Sequence, residues 1–171
     1  GVDNVLVSAT GYTGAGGVEV YFEGKDDAAG KIWNAIFKAG AAQGLKPIGL
    51  AARDTLRLEM GFPLYGNELN ENTTPFEAGL HRFVKLDKHH FIGKHTLEKQ
   101  AKQGIYKKLV GLEMSESGIP RSHYKIFAKG AAVGEITSGT MSPFLGKAIG
   151  MGYVAPEFSS IGTELKIEIR N

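Results

Sequence analysis

Residues 51–61, Ala51-Ala52-Arg53-Asp54-Thr55-Leu56-Arg57-Leu58-Glu59-Met60-Gly61, are followed closely by Leu64-Tyr65-Gly66-Asn67-Glu68-Leu69. Together they hold two arginines and three carboxylates among apolar residues. The spacing predicts a helix from about Gly49 to Met60, with Ala52, Leu56 and Met60 as its buried stripe. Arg53 and Arg57 are four apart, so they share a face of that helix and repel each other slightly. Such a pair is tolerated most easily when an anion, a ligand or a buried carboxylate, sits beside it. An ordinary solvated charge cluster is the other reading of the same spacing.

The chain differs in kind on the two sides of this helix. Before it, Val5–Val7 and Gly17–Phe22 read as short strands around the glycine-rich loop 8–16. Val18, Val20 and Phe22 then face one way, Glu19 and Tyr21 the other. Asp26 to Lys38 follows as an amphipathic helix, with acidic residues first and Ile32, Trp33, Ile36 and Phe37 as two i,i+4 pairs. After it, residues 61–80 are irregular, and a third helix is expected over Gly93–Gln103. Gln103-Gly104 reads as a linker.

Beyond Ile105 the pattern is of strands: Leu109–Met114, Lys125–Ala128, Ala132–Thr137, Lys147–Val154 and Thr163–Arg170. Ala128-Lys129-Gly130 marks a tight hairpin. The expected fold is therefore α+β: an antiparallel sheet with packed helices over residues 1–103, then a small antiparallel β-barrel or jelly-roll-like domain over 104–171.

Composition narrows the class. The 171 residues are 42% hydrophobic and 22% charged with a net charge of +2, an ordinary balance for a globular chain and too weak to single out nucleic acid or an anionic membrane as partner. There is no cysteine, which removes thiolate chemistry and fits a reducing compartment. No apolar run is long enough to span a membrane. The chain opens at Gly1 without a methionine and enters a strand almost at once, so it reads as a piece of something longer.

Glu19 is a lone carboxylate in an otherwise apolar strand. If buried, it needs adjacent N–H donors such as the edge of an arginine or a pterin ring; simple exposure is the alternative. The loop Gly11-Tyr12-Thr13-Gly14-Ala15-Gly16-Gly17 allows close approach of backbone to a flat ligand, yet matches no phosphate or dinucleotide motif. A structural hairpin loop explains it equally. His89, His90 and His95 lack the carboxylate spacing of a metal site, so no metal is expected. Lys107, Lys108, Arg121 and Lys125 read as solvated surface, and Gly-x-Ser-x-Gly is absent.

Taken in order, five motifs resemble one family. They are Thr10–Gly14 with Gly17–Val20, Ala51–Glu59, Pro63–Leu69, Thr73–Leu80 and Gly134–Pro143. Phe83-Val84-Lys85, Phe91-Ile92-Gly93 and Gly146–Ile149 join them. The chain resembles, over nearly all its length, the C-terminal portion of the aminomethyltransferases (T-proteins) of the glycine cleavage system.

The resemblance implies a tetrahydrofolate-dependent transfer of a one-carbon unit from the aminomethyl-lipoyl arm of the H-protein, with release of ammonia. It implies tetrahydrofolate as co-substrate and lipoylated H-protein as partner. It also implies that residues 1–103 belong to a folate-binding unit, and that Glu19 holds the pterin while Arg53 contributes to the folate or substrate site. Tyr12 and Tyr65 are implied as weaker lining residues. Arg57 and Asp54 are expected to be structural.

No catalytic residue is expected within the chain: the family's key aspartate lies in its N-terminal half, so the piece alone is expected to be inactive. Ala15 and Gly16 stand where family members carry an acidic pair. The chain also ends at Asn171, before the family's usual aromatic tail. Rival readings on the same resemblance are the folate-binding portion of a dimethylglycine or sarcosine dehydrogenase, and a folate-binding maturation factor that transfers nothing. A docking module with no ligand of its own is the third.

Overall fold

The computed structural model describes residues 2–25 and 27–169. The chain packs as two units, residues 1–60 and 61–171.

In the first, β1 (Leu6–Ser8) and β2 (Glu19–Tyr21) form an antiparallel ribbon in which Leu6 faces Tyr21, Val7 faces Val20 and Ser8 faces Glu19. Helix α1 (Ala28–Gly40) and a turn of 3-10 helix at Ala41–Gln43 lead to α2 (Leu50–Glu59). The i,i+4 spacing on α1 is realised, since the Trp33 and Phe37 rings lie 4.6 Å apart between centroids. Asp27 precedes α1 in a left-handed conformation without a side-chain cap, and Asp26, expected at the helix start, lies outside the described residues.

The expected stripe on α2 is corrected by the structure. Leu56 and Met60 are exposed and Ala52 only half-buried, whereas Arg57 and Leu58 are the buried pair. Arg57 can enter because the Asp54 carboxylate one turn earlier accepts its Nε–H at 2.8 Å, which offsets part of the desolvation of the guanidinium. With an ion pair on the inner face, the apolar four-residue stripe is left outside.

In the second unit, residues 61–93 are mostly turns with one 3-10 turn at His81–Phe83, followed by α3 (Lys94–Gln103). Five strands then build an antiparallel sheet: β3 (Lys108–Glu113), β4 (Lys125–Ala128), β5 (Ala131–Ser142), β6 (Lys147–Val154) and β7 (Lys166–Ile167), in the order β3-β6-β5-β4-β7. The β4–β5 turn is the predicted hairpin, with positive φ at both Lys129 and Gly130, as a type I′ turn requires.

Ile126, Ile136 and Val154 form the core, with Val110, Leu112, Tyr124, Val133, Phe158, Leu165 and Ile167 packed around them. Strand β5 runs on to Ser142, past the expected end at Thr137, while β7 is shorter than its alternating pattern suggested; Arg170 lies outside the described residues. Among the described residues no helix is long and apolar enough to cross a membrane.

Candidate functional site

The first unit gathers three of the four residues singled out in the sequence. Glu19 stands on β2 and is exposed, so the buried alternative does not hold. It is nonetheless engaged: the Thr10 hydroxyl donates to its Oε2, and Thr10 Oγ1 lies 3.0 Å from Ser8 Oγ. The ribbon explains the meeting, because Ser8 and Glu19 are paired in register and Thr10 sits two residues past Ser8, where the chain leaves β1.

Arg53 projects from the exposed side of α2, and its guanidinium carbon lies 5.2 Å from the centroid of the Tyr12 ring. The same loop touches the far end of that helix. Gly14, at φ 69°, approaches Met60 so closely that a Cβ there would lie 2.5 Å from Met60 Cγ. The glycine-rich loop is thus docked along α2 at two points, Tyr12 on Arg53 and Gly14 on Met60. The Glu19 carboxylate and the Arg53 guanidinium are both exposed, on the two elements that this loop contacts. Between them they suit a ligand with an N–H donor edge and an anionic or carbonyl group.

Tyr65 belongs to the second unit, where it is 69% exposed and forms an isolated bridge with Leu69. Its motif is built around Glu68, a fully buried carboxylate to which the sequence reading gave no role. Glu68 Oε2 accepts the Leu64 N–H at 2.9 Å and Oε1 accepts the Thr137 hydroxyl at 2.6 Å, while its carbonyl accepts the Tyr153 hydroxyl at 2.9 Å. Asn67 Nδ2 donates to Ser138 Oγ at 2.9 Å, so this turn is stapled to β5. Glu77, also buried, caps its own turn by accepting the Thr74 N–H at 2.8 Å, and its carbonyl accepts the Leu109 N–H.

Tyr153 is pushed up to about 12, by burial first and then by the negative charge of Glu77 and Glu68. Glu135 is lowered by hydrogen bonds from Lys125 and His123. Among the described residues no group of three or more His, Cys, Asp or Glu is placed to hold a metal ion.

Thr10, Glu68 and Glu77 escaped the sequence reading as individual residues. All three lie inside quoted motifs, but their roles depend on partners that no local spacing reveals.

Comparison with known proteins matches the chain in two parts. Residues 1–88 match the family described as GCVT N-terminal domain, and residues 107–171 match the glycine cleavage T-protein C-terminal barrel domain. An aminomethyltransferase of Bacteroides fragilis is 57% identical over 172 residues, covering 99% of this chain and 47% of the relative. One of Porphyromonas gingivalis is 55% identical over 173 residues with the same coverage. Among solved structures, the glycine cleavage system aminomethyltransferase T from Bartonella henselae superposes with a TM-score of 0.88 at 30% identity, over 98% of this chain and 46% of that one. The chain spans about half the length of the curated relatives it matches.

Proposed function

The chain belongs to the glycine cleavage T-protein family, and on that premise we propose that it supplies the folate-holding part of a tetrahydrofolate-dependent aminomethyltransferase. Its substrates are tetrahydrofolate and the aminomethyl-lipoyl arm of the H-protein. The products are 5,10-methylenetetrahydrofolate, ammonia and dihydrolipoyl H-protein. In this reading Glu19 receives the N–H edge of the pterin, Arg53 faces the folate or the substrate, and Tyr12 holds Arg53 in place. Residues 1–103 are then part of the folate-binding domain and 104–171 the C-terminal barrel, in a protein of the cytoplasm, or of the mitochondrial matrix in a eukaryote.

The observation that carries the reading is the Arg53–Tyr12 stack, 5.2 Å from guanidinium carbon to ring centroid. Two motifs forty residues apart meet there, and the same loop brings Thr10 onto Glu19. The chemistry is mainly orientation. Folate N5 must approach the aminomethyl carbon as ammonia leaves, and an iminium-like carbon must be stabilised by a carboxylate. Glu19 and Arg53 hold one reactant in that geometry, and the stabilising carboxylate lies outside this chain.

The first unit supports incompleteness by its surface. Leu6, Val7, Val18, Trp33, Ile48 and Leu50 are all more than half exposed, on a two-stranded ribbon and helices that bury only Ala28, Arg57 and Leu58 among the described residues. A ribbon of this size needs further strands or another layer to stand stably in water.

Calorimetric titration with tetrahydrofolate tests the reading. At the length of the relatives, the protein is expected to bind saturably, and Glu19→Ala and Arg53→Ala each to weaken binding by about 1–3 kcal/mol, the cost of a lost charged hydrogen bond. The 171 residues alone, given H-protein and folate, are expected to show no turnover. Unaltered affinity in both variants overturns the site, and turnover by the isolated chain overturns the placement of the catalytic carboxylate.

A further inference from the structure

We infer that Thr10 is a positioning residue which, backed by Ser8, fixes the Glu19 carboxylate in its ligand-accepting orientation; the inference rests on the reading that Glu19 holds the pterin. Glu19 is an exposed, three-torsion side chain at the end of a two-stranded ribbon, and left alone it samples many rotamers. The structure shows it tied at one oxygen. A carboxylate offers about four lone-pair sites over its two oxygens. The Thr10 hydroxyl occupies one on Oε2, and among the described residues Oε1 accepts no hydrogen bond. One site on Oε2 and both on Oε1 therefore remain for a two-pronged N–H edge.

The orientation of the tether follows from proton count. A hydroxyl has one proton, and Thr10's is drawn to the charged acceptor. The Ser8 hydroxyl, 3.0 Å from Thr10 Oγ1, is then the donor of that second pair. A Ser8-to-Thr10-to-Glu19 chain polarises in one direction, and each link strengthens the next. Ser8 is itself held by strand pairing directly opposite Glu19, so the chain closes a ring across the ribbon and cannot drift independently of it. Fixing the carboxylate before the ligand arrives reduces the ordering that binding must impose.

The test is a double-mutant cycle on tetrahydrofolate affinity in the protein at the length of its relatives, with thermal melting to confirm that each variant folds. Thr10→Val is expected to weaken binding roughly tenfold, in line with one hydrogen bond to a charged group. Thr10→Ser, which restores the hydroxyl, is expected to bind within about twofold of the unaltered protein, and Ser8→Ala to lose about threefold. In a Glu19→Ala background, Thr10→Val is expected to cost nothing further, an outcome that a merely structural threonine does not produce.

If Glu19→Ala weakens binding while Thr10→Val and Ser8→Ala do not, the tether is overturned and the Glu19 reading stands. If Glu19→Ala leaves affinity unchanged, the Glu19 reading falls and the tether with it. Should Thr10→Val fail to fold, Ser8→Ala and its cycle with Glu19→Ala decide the question alone.

Discussion

Substituting Gly139 by alanine is expected to be among the most damaging single changes in the second unit. Gly139 faces Gly150 in the β5–β6 register, and the buried Pro120 lies across the pair. A Cβ built on Gly139 would sit 1.8 Å from the Pro120 carbonyl oxygen, 2.8 Å from its carbon and 2.9 Å from its Cγ, where ordinary contact begins at 3.4 Å. The obstacle is a backbone carbonyl on a fully buried residue, and Gly139 is itself held in place by its pairing with β6. Overpacking a core typically costs 1–3 kcal/mol, and an immovable obstacle places this change at roughly 3–5 kcal/mol.

Two companions grade the scale. At Gly150 the nearest atoms to a new Cβ are Pro120 Cγ at 2.9 Å and the Ser138 carbonyl oxygen at 3.0 Å, so Gly150→Ala is expected to cost about 1–2 kcal/mol. At Gly111 on β3 nothing lies within 4 Å, and Gly111→Ala is expected to stay within about 1 kcal/mol of zero. Urea unfolding by far-UV circular dichroism measures all three, with hydrogen exchange at β5 and β6 amides locating the loss. Fluorescence is a poor witness here, because the one tryptophan, Trp33, lies in the other unit. A Gly139→Ala cost no larger than that of Gly111→Ala refutes the argument from close approach.

Two further outcomes follow from the polar contacts. Asp54→Ala removes the acceptor 2.8 Å from the buried Arg57 Nε and is expected to cost about 1–2 kcal/mol, discounted because Asp54 is 44% exposed; Asp54→Asn keeps an acceptor and is expected to cost less than half as much. Trp33 fluorescence during thermal melting reads this, and equal losses in the two variants contradict it. Tyr153 titrates at about 12 in the folded chain against about 10 when unfolded. Its folded value is the higher, so its contribution to stability is complete below pH 10 and is lost as pH rises from about 10 to about 12. After discounting for its partial exposure this is on the order of 1 kcal/mol. Tyr153→Phe is expected to flatten the alkaline limb of a stability–pH profile in that window, and superposable limbs contradict it.

Alternation and turns carried most of the fold into view from sequence. Lys125–Ala128 and Lys147–Val154 begin and end where expected, and the two residues between β4 and β5 adopt the primed turn their types suggested. The misreadings share a cause. Strand β5 runs past Thr137, where Ser138 and Gly139 read as a boundary, and the smallness of Gly139 is what lets Pro120 cross the sheet there. Helix α2 was given an apolar inner stripe because a four-residue period counts hydrophobes and cannot weigh an ion pair. Arg57, whose Nε–H is accepted by Asp54, is buried where Leu56 and Met60 are exposed.

The same limit governs the candidate site and suggests how motif residues separate by role. Glu68, Glu77 and Glu19 all stand in motifs, and nothing in their spacing tells them apart. Their surroundings do. Glu68 and Glu77 are buried and accept backbone N–H groups from their own turns, at Leu64 and Thr74 respectively, so a carboxylate at either place closes a loop. Glu19 is exposed, accepts only a hydroxyl among the described residues, and keeps acceptor capacity that no element of the ribbon uses. A carboxylate held in place but not saturated is fitted to receive something, whereas a saturated one is fitted to stay. By that criterion the exposed residues of the first unit, Glu19 and Arg53, are the ones to mutate for binding. The buried acids of the second unit are the ones to mutate for stability.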